Sequence, residues 1–167
     1  MLRKNPNIPA LLACSLFATF PAARLVAQEP PPAPAAPVAP ATLQRLFSEA
    51  ETAFGAKDYD TAVAKIQELL QGLGSNKDAP LELLYFNIGL GYLLGEKPEE
   101  AEAAFTDCLK RFPKGEYASR CYLGIGRACI LQNTPEKKEA AINALRIAAQ
   151  APKYRSQAAH WLGQAYS

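Results

Sequence analysis

From Thr42 onward, apolar residues recur every three or four positions, the spacing that makes one face of an α-helix apolar. Glycine, proline and short polar runs divide this pattern into seven helix-length segments. The predicted helices are Thr42–Gly55; a second that Asp60 caps and that ends near Gly72; Leu83–Leu94, capped by Asp78; Pro98–Arg111; Glu116–Leu131; Pro135 to about Gln150; and Tyr154–Ser167. No two-residue alternation of useful length occurs, so the pattern predicts an all-α fold.

A short motif recurs along these predicted helices. Tyr85-x-x-Ile88-Gly89-x-x-Tyr92 returns as Tyr122-x-x-Ile125-Gly126-x-x-Cys129 and again as Leu162-Gly163-x-x-Tyr166. The three glycines are 37 residues apart. A fixed period in this range is typical of stacked helix pairs, which bury their apolar faces against neighbouring pairs. The repeat therefore predicts a helical array that presents a surface to a partner.

The helix pairs resemble the tetratricopeptide repeat, a family with a 34-residue unit. Its pattern places a large residue, Leu-Gly and Tyr on helix A, and Ala, Phe, Ala and a closing Pro on helix B. The second unit matches at Tyr85, Ile88, Gly89, Tyr92, Ala101, Phe105, Cys108 and Pro113, and the third at Tyr122, Ile125, Gly126, Cys129, Ala140, Ala144, Ile147 and Pro152, with about two extra residues in its turn. The first keeps Leu46, Ala50, Ala53, Ala62, Ile66 and Leu69, and the fourth Leu162, Gly163 and Tyr166. The resemblance implies a TPR-like α-solenoid of antiparallel helix pairs, with about 3.5 repeats.

Small residues at matching positions predict close helix contacts. The positions expected to let helices A and B approach each other are Ala50, Gly89, Gly126 and Gly163 on helix A, and Ala101 and Ala140 on helix B. Tyrosine and phenylalanine are expected to fill the spaces between layers.

The N-terminal segment has the composition of an export signal. Arg3 and Lys4 precede an apolar stretch from Ile8 to Phe20, which is too short to cross a bilayer as a helix. We predict a signal peptide over residues 1–27, a Pro/Ala-rich disordered linker over residues 28–41, and a repeat domain over residues 42–167. An uncleaved anchor and lipidation at Cys14 remain alternatives.

A narrower resemblance concerns the segment from Phe105 to Gly124. It is similar to the helix junction of bacterial envelope repeat proteins, including the Tol–Pal-associated cell-division coordinator and outer-membrane assembly lipoproteins. The coordinator family has an N-terminal coiled coil, whereas this chain has a proline-rich spacer. The resemblance implies export, with the periplasm of a Gram-negative-type bacterium expected and a secreted or membrane-anchored protein as the alternative.

Charge and cysteine content exclude some classes of protein. Without Arg3, Lys4 and Arg24, 15 basic residues face 16 acidic ones, so a nucleic-acid binder is not expected. The remaining cysteines, Cys108, Cys121 and Cys129, are odd in number and form no CxxC pair. They are expected to be buried apolar residues, with a Cys108–Cys121 disulfide as the alternative.

No catalytic constellation is apparent. The single histidine, His160, stands beside Trp161 without a nucleophile motif, and one histidine with scattered cysteines makes a poor zinc site. No phosphate-binding glycine motif follows a strand. We therefore expect no cofactor, metal, small-molecule substrate or enzymatic activity.

In the tetratricopeptide family, the A helices line a concave groove that holds the partner. Carried over by position, the predicted groove residues are Phe47, Phe54, Leu83, Phe86, Leu90, Leu93, Arg120, Leu123, Arg127 and His160. An apolar strip beside two arginines suits an amphipathic helix or an extended peptide with an acidic group. Alternatively, the apolar residues of Leu83–Leu94 pack only against a neighbouring layer. The predicted function is an exported, non-catalytic scaffold for protein–protein interaction; the alternatives are the repeat domain of a larger exported enzyme and a lipid-anchored assembly factor.

Overall fold

The computed structural model describes residues 39–74 and 79–167, and these residues form helices joined by short turns. In chain order the helices are α1 (Pro40–Gly55), α2 (Tyr59–Leu73), α3 (Leu81–Leu94), α4 (Pro98–Arg111), α5 (Ala118–Gln132), α6 (Pro135–Ala148), a 3₁₀ turn (Pro152–Tyr154) and α7 (Arg155–Tyr166). Each helix packs against its neighbours in consecutive pairs, and the described residues contain no strand. The predicted all-α repeat solenoid is confirmed.

Several helix ends differ from the predicted ones. Helix α1 begins at Pro40, inside the predicted linker, because proline fits the first turn of a helix. The cap of α2 is Asp58, whose carboxylate accepts a hydrogen bond from the backbone N–H of Thr61 at 3.2 Å; the predicted cap Asp60 lies in the first turn. The predicted signal peptide, Cys14, most of the linker and the predicted cap Asp78 lie outside the described residues.

The repeat is also visible in the backbone of the turns. Lys57, Glu96 and Asn133 have positive φ angles of 62°, 58° and 52°, and each lies in the turn between the two helices of one pair. A single left-handed residue after a helix ends its hydrogen-bond ladder and redirects the chain. All three turns therefore use one conformation to start the second helix of the pair.

The apolar core consists of three clusters along the array. The first joins α1 to α3, the second joins α3 to α5, and the third joins α5 to α7. Their buried members are Leu46, Ala50, Val63, Ile66, Leu69, Leu84 and Ile88; then Phe86, Leu93, Ala101, Phe105, Cys108, Cys121 and Ala128; then Leu123, Leu145, Ala148 and Ala158. Helices α3 and α5 each contribute to two clusters.

Two of the three periodic glycines make the predicted close contacts. A Cβ atom on Gly89 would lie 2.6 Å from the ring of Phe105, and one on Gly126 would overlap the side chain of Leu145. The prediction is wrong for Gly163, because a Cβ atom there would meet nothing within 4 Å.

The predicted register of α6 is also wrong by one residue. Ala141, Leu145 and Ala148 are fully buried, whereas the predicted Ala140 is partly exposed and Ile147 is 41% exposed. The predicted Ala144 is buried. The buried residues of α4 are Ala101, Phe105 and Cys108. Equivalent positions on the two helices thus lie 40 residues apart, whereas α6 begins 37 residues after α4. The unit therefore has three extra residues rather than two, and they lie at the start of α6 instead of in the turn before it.

Glu82 of α3 sets the position at which α5 begins. Its carboxylate accepts hydrogen bonds from the backbone N–H groups of Glu116 at 3.1 Å and Tyr117 at 2.7 Å. A carboxylate at these free N–H groups also interacts favourably with the positive end of the helix dipole. The side chain of one repeat thereby positions the first helix of the next one.

Candidate partner-binding cleft

Six of the ten predicted groove residues surround one cavity, which we call the α3–α5 cleft. It has a volume of about 320 Å³ and lies between α3, α5 and the start of α7. Its lining residues are Phe86, Leu90, Leu93, Phe105, Arg120, Leu123, Gly124, Arg127, Lys153, Tyr154 and Gln157. The structure therefore brings together Phe86, Leu90, Leu93, Arg120, Leu123 and Arg127.

The floor of the cleft is apolar and largely part of the core. Phe86 and Leu93 are each 5% exposed and Leu123 is 9% exposed, while Leu90 is half-buried. The Phe86 ring lies 5.7 Å from the Phe105 ring and 5.2 Å from the Tyr117 ring, measured between centroids. These side chains pack between layers and also form a rigid apolar surface at the base of the cleft.

Arg120 is held against this aromatic floor. Its guanidinium lies 4.4 Å from the centroid of the Phe86 ring and 5.3 Å from that of Tyr117. Cation–π contact orients the planar guanidinium while leaving its N–H groups free to donate. Because Glu82 positions the start of α5, both the backbone and the side chain of Arg120 are restrained before any ligand binds.

Arg127 lies on the same face of α5 as Arg120, about two helical turns further along. Its guanidinium lies 5.0 Å from the centroid of the Trp161 ring. Its Nε atom is buried and has no hydrogen-bond partner. Burial lowers the pKa of Arg127 from its usual value, which means that the cation is incompletely compensated where it lies. A buried donor without a partner costs free energy.

The cleft has positive charge and no acidic side chain. Lys153 adds a third cation, with its ammonium 5.6 Å from the Tyr154 ring. Among the residues that the structure describes, the ion pairs involve other basic residues and none includes Arg120, Arg127 or Lys153. With no carboxylate in the lining, the three cations produce a local positive potential in a near-neutral domain.

Four predicted groove residues lie outside the lining. Phe47 on α1 is 40% exposed, and Leu83 on α3 is half-buried. Phe54 packs against Tyr59 and faces Gly91 of α3, so it fills space between repeats. His160 is exposed on α7, where its Nε2 lies 3.2 Å from the side-chain nitrogen of Gln164.

The sequence analysis did not predict that Lys153, Tyr154 and Gln157 line one side of the α3–α5 cleft. The 37-residue period could have identified two of them, since Tyr154 follows Tyr117 and Gln157 follows Arg120 at that interval. The 3₁₀ turn Pro152–Tyr154 brings this wall against α5.

Larger cavities of about 670 Å³ and 850 Å³ lie between α2 and α4 and along α1 and α2, and neither contains a predicted groove residue. Within residues 39–74 and 79–167, no group of three or more His, Cys, Asp or Glu side chains could hold a metal ion. In the same ranges, no helix has the length and apolar character needed to span a membrane.

Comparisons with family models, with curated proteins and with solved structures each find no match to this chain. The physical features of the α3–α5 cleft and of the repeat are therefore the basis for a functional proposal.

Proposed function

We propose that this chain is an exported, non-catalytic scaffold of the tetratricopeptide type, which binds a protein partner in the α3–α5 cleft. The single observation that carries the proposal is the combination of three cations, no carboxylate and an apolar floor in one cavity. The periodic motif and the N-terminal composition support the family and the export, with the bacterial periplasm as the proposed compartment.

The chemistry of the cleft defines the partner segment. The guanidinium groups of Arg120 and Arg127 offer N–H donors suited to a carboxylate. Leu90 and the floor beneath it offer contact to an apolar side chain. A peptide segment with an acidic residue next to an apolar one satisfies both requirements, whereas a basic segment would be repelled.

The size of the cleft limits how much of the partner it can hold. A cavity of about 320 Å³ accommodates a few side chains rather than a whole domain. Short apolar and acidic segments on flexible partners are a common mode of recognition by grooves between helices. We therefore expect modest affinity for one isolated peptide, with specificity set by the acidic group.

Binding of designed peptides tests this proposal. The probes are fluorescein-labelled peptides of about eight residues that alternate leucine with glutamate, glutamine or lysine. The glutamate peptide is expected to bind, more weakly as salt rises, and Arg127→Glu is expected to reduce its affinity about tenfold or more because attraction becomes repulsion. Fluorescence anisotropy gives the dissociation constants.

Arg45→Glu is the matched control, because Arg45 is an exposed arginine of α1 whose contact is an ion pair with Glu49. It makes the same charge change outside the cleft and should leave affinity within about twofold. Equal binding of all three peptides, or equal losses in the two variants, would refute the cleft as an acidic-peptide site.

Export is tested separately by mass spectrometry of the mature N-terminus in a bacterial host. Cleavage near Ala27 supports a periplasmic protein, a diacylglycerol mass on Cys14 supports the lipid-anchored alternative, and an intact Met1 in the cytoplasm contradicts export.

A further inference from the structure

Two buried thiols lie together where α4 meets α5. Cys108 of α4 is 1% exposed and Cys121 of α5 is 0% exposed, and both belong to the second core cluster. The two helices that carry these cysteines pack directly against each other, and interaction between the two thiols lowers the pKa of Cys108 and raises that of Cys121. The Cys108 sulfur also lies 3.8 Å from the backbone carbonyl of Glu82.

The backbone around this pair is already restrained. The turn between α4 and α5 is held by the two hydrogen bonds from Glu116 and Tyr117 to the Glu82 carboxylate. The two cysteines therefore sit on adjacent packed helices joined by a short, anchored connection. A disulfide bond of about 2 Å joins side chains on neighbouring backbone segments, and α4 and α5 are such neighbours.

We propose that Cys108 and Cys121 form an oxidisable dithiol, which an exogenous disulfide oxidant converts into a bond that links α4 to α5. The thiolate of Cys108 attacks one sulfur of the oxidant and releases one thiolate. The thiolate of Cys121 then attacks the Cys108 sulfur and releases the second. The pair loses two electrons and two protons, and the oxidant RSSR becomes two RSH.

Cys108 is the better first nucleophile. Interaction with Cys121 lowers the pKa of Cys108, and the same interaction raises the pKa of Cys121, which retains the proton of the pair. The third thiol of the repeat domain lies elsewhere on α5: Cys129 is buried beside Glu102, and burial raises its pKa to about 11. Cys129 therefore serves as an internal control, a buried thiol that is expected to stay reduced.

Refolding the full chain from urea in a mixture of reduced and oxidised glutathione tests the inference. The product is denatured, labelled with N-ethylmaleimide and digested with trypsin. We expect the peptide Cys121–Arg127 to be disulfide-linked to the peptide that ends at Lys110, while Cys129 and Cys14 carry the label. The oxidised protein should lose two hydrogen masses and unfold about 5 °C or more above the reduced protein.

Two serine variants complete the experiment. Cys129→Ser should close the same bond as the natural chain, whereas Cys108→Ser should leave Cys121 open to labelling. The mapping on the natural chain does not depend on whether either variant folds. Labelling of all four cysteines after equilibration with the oxidant, or a bond that pairs Cys129 or Cys14 with another cysteine, would overturn the proposal.

Discussion

At the scale of single residues, equivalent positions in the repeat have different roles. Gly89 and Gly126 are required because Phe105 and Leu145 occupy the space where a side chain would be. Gly163 occupies the same position in the motif, yet it lies on the exposed side of α7. A periodic glycine therefore marks a close contact only where a second helix packs on it.

A pair of alanine substitutions separates these roles. Gly126→Ala should lower the free energy of unfolding by about 1–2 kcal/mol, because overpacking against the fully buried Leu145 outweighs the gain in helix propensity. Gly163→Ala should instead stabilise the protein by up to about 1 kcal/mol. Urea unfolding of the two variants and the natural chain measures both changes; a similar loss in both would mean that Gly163 is also in close contact.

At the scale of helices, ionic contacts join each repeat to the turn of the next. Lys97, which caps α4, lies 2.7 Å from the Asp60 carboxylate of α2. One repeat later, Glu102 of α4 accepts hydrogen bonds from Gln132 at 2.6 Å and from Lys137 in the first turn of α6. The second contact is the more buried, so it is the one whose titration should be measurable.

The stability contributed by Glu102 should disappear in acid. Burial raises its pKa, but the hydrogen bonds from Lys137 and Gln132 outweigh this and leave the pKa below the usual 4.5. A carboxyl whose pKa is lowered on folding stabilises the protein above its unfolded pKa and stops doing so as the pH falls through the folded value. Glu102→Gln should therefore cost about 0.5–1 kcal/mol at pH 7 and progressively less below about pH 4.5.

The measurement is urea unfolding of the natural chain and of Glu102→Gln at pH 7 and near pH 3. Asp107→Asn is the control, since Asp107 pairs with Arg111 within its own helix and is more exposed. A Glu102→Gln difference that stays constant across this pH range would show that the charge of Glu102 does not carry the contact.

At the scale of the whole described domain, stability should vary along the array. Helix α5 contributes buried residues to two core clusters and packs against α3, α4, α6 and α7. Helix α7 packs on α5 and α6, and its buried residues are Ala158 and Ala165. In repeat arrays each unit is stabilised mainly by its nearest neighbours, so local opening should be easiest where fewest neighbours pack.

Hydrogen exchange followed by mass spectrometry should detect this gradient. We expect amides of α5 between Cys121 and Ala128 to exchange at least about tenfold more slowly than those of α7 between Ala158 and Ala165. The acidic leucine–glutamate peptide should increase protection at the start of α7, where Gln157 lines the cleft. Uniform protection across both helices would instead indicate one cooperative unit.

The sequence by itself determined the helices, their all-α arrangement and the repeat period, because helix formation and turns depend on local spacing and on residues such as glycine and proline. It also identified both arginines of the cleft through their place in the repeat. Only the tertiary structure decided the register of α6 and showed that no helix packs closely on Gly163. It also showed that Phe86, Leu93 and Leu123 are buried. It also decided that Lys153 and Tyr154 complete the cleft. Periodicity shows which face of a helix is apolar, but which neighbour covers that face depends on packing between residues far apart in the chain.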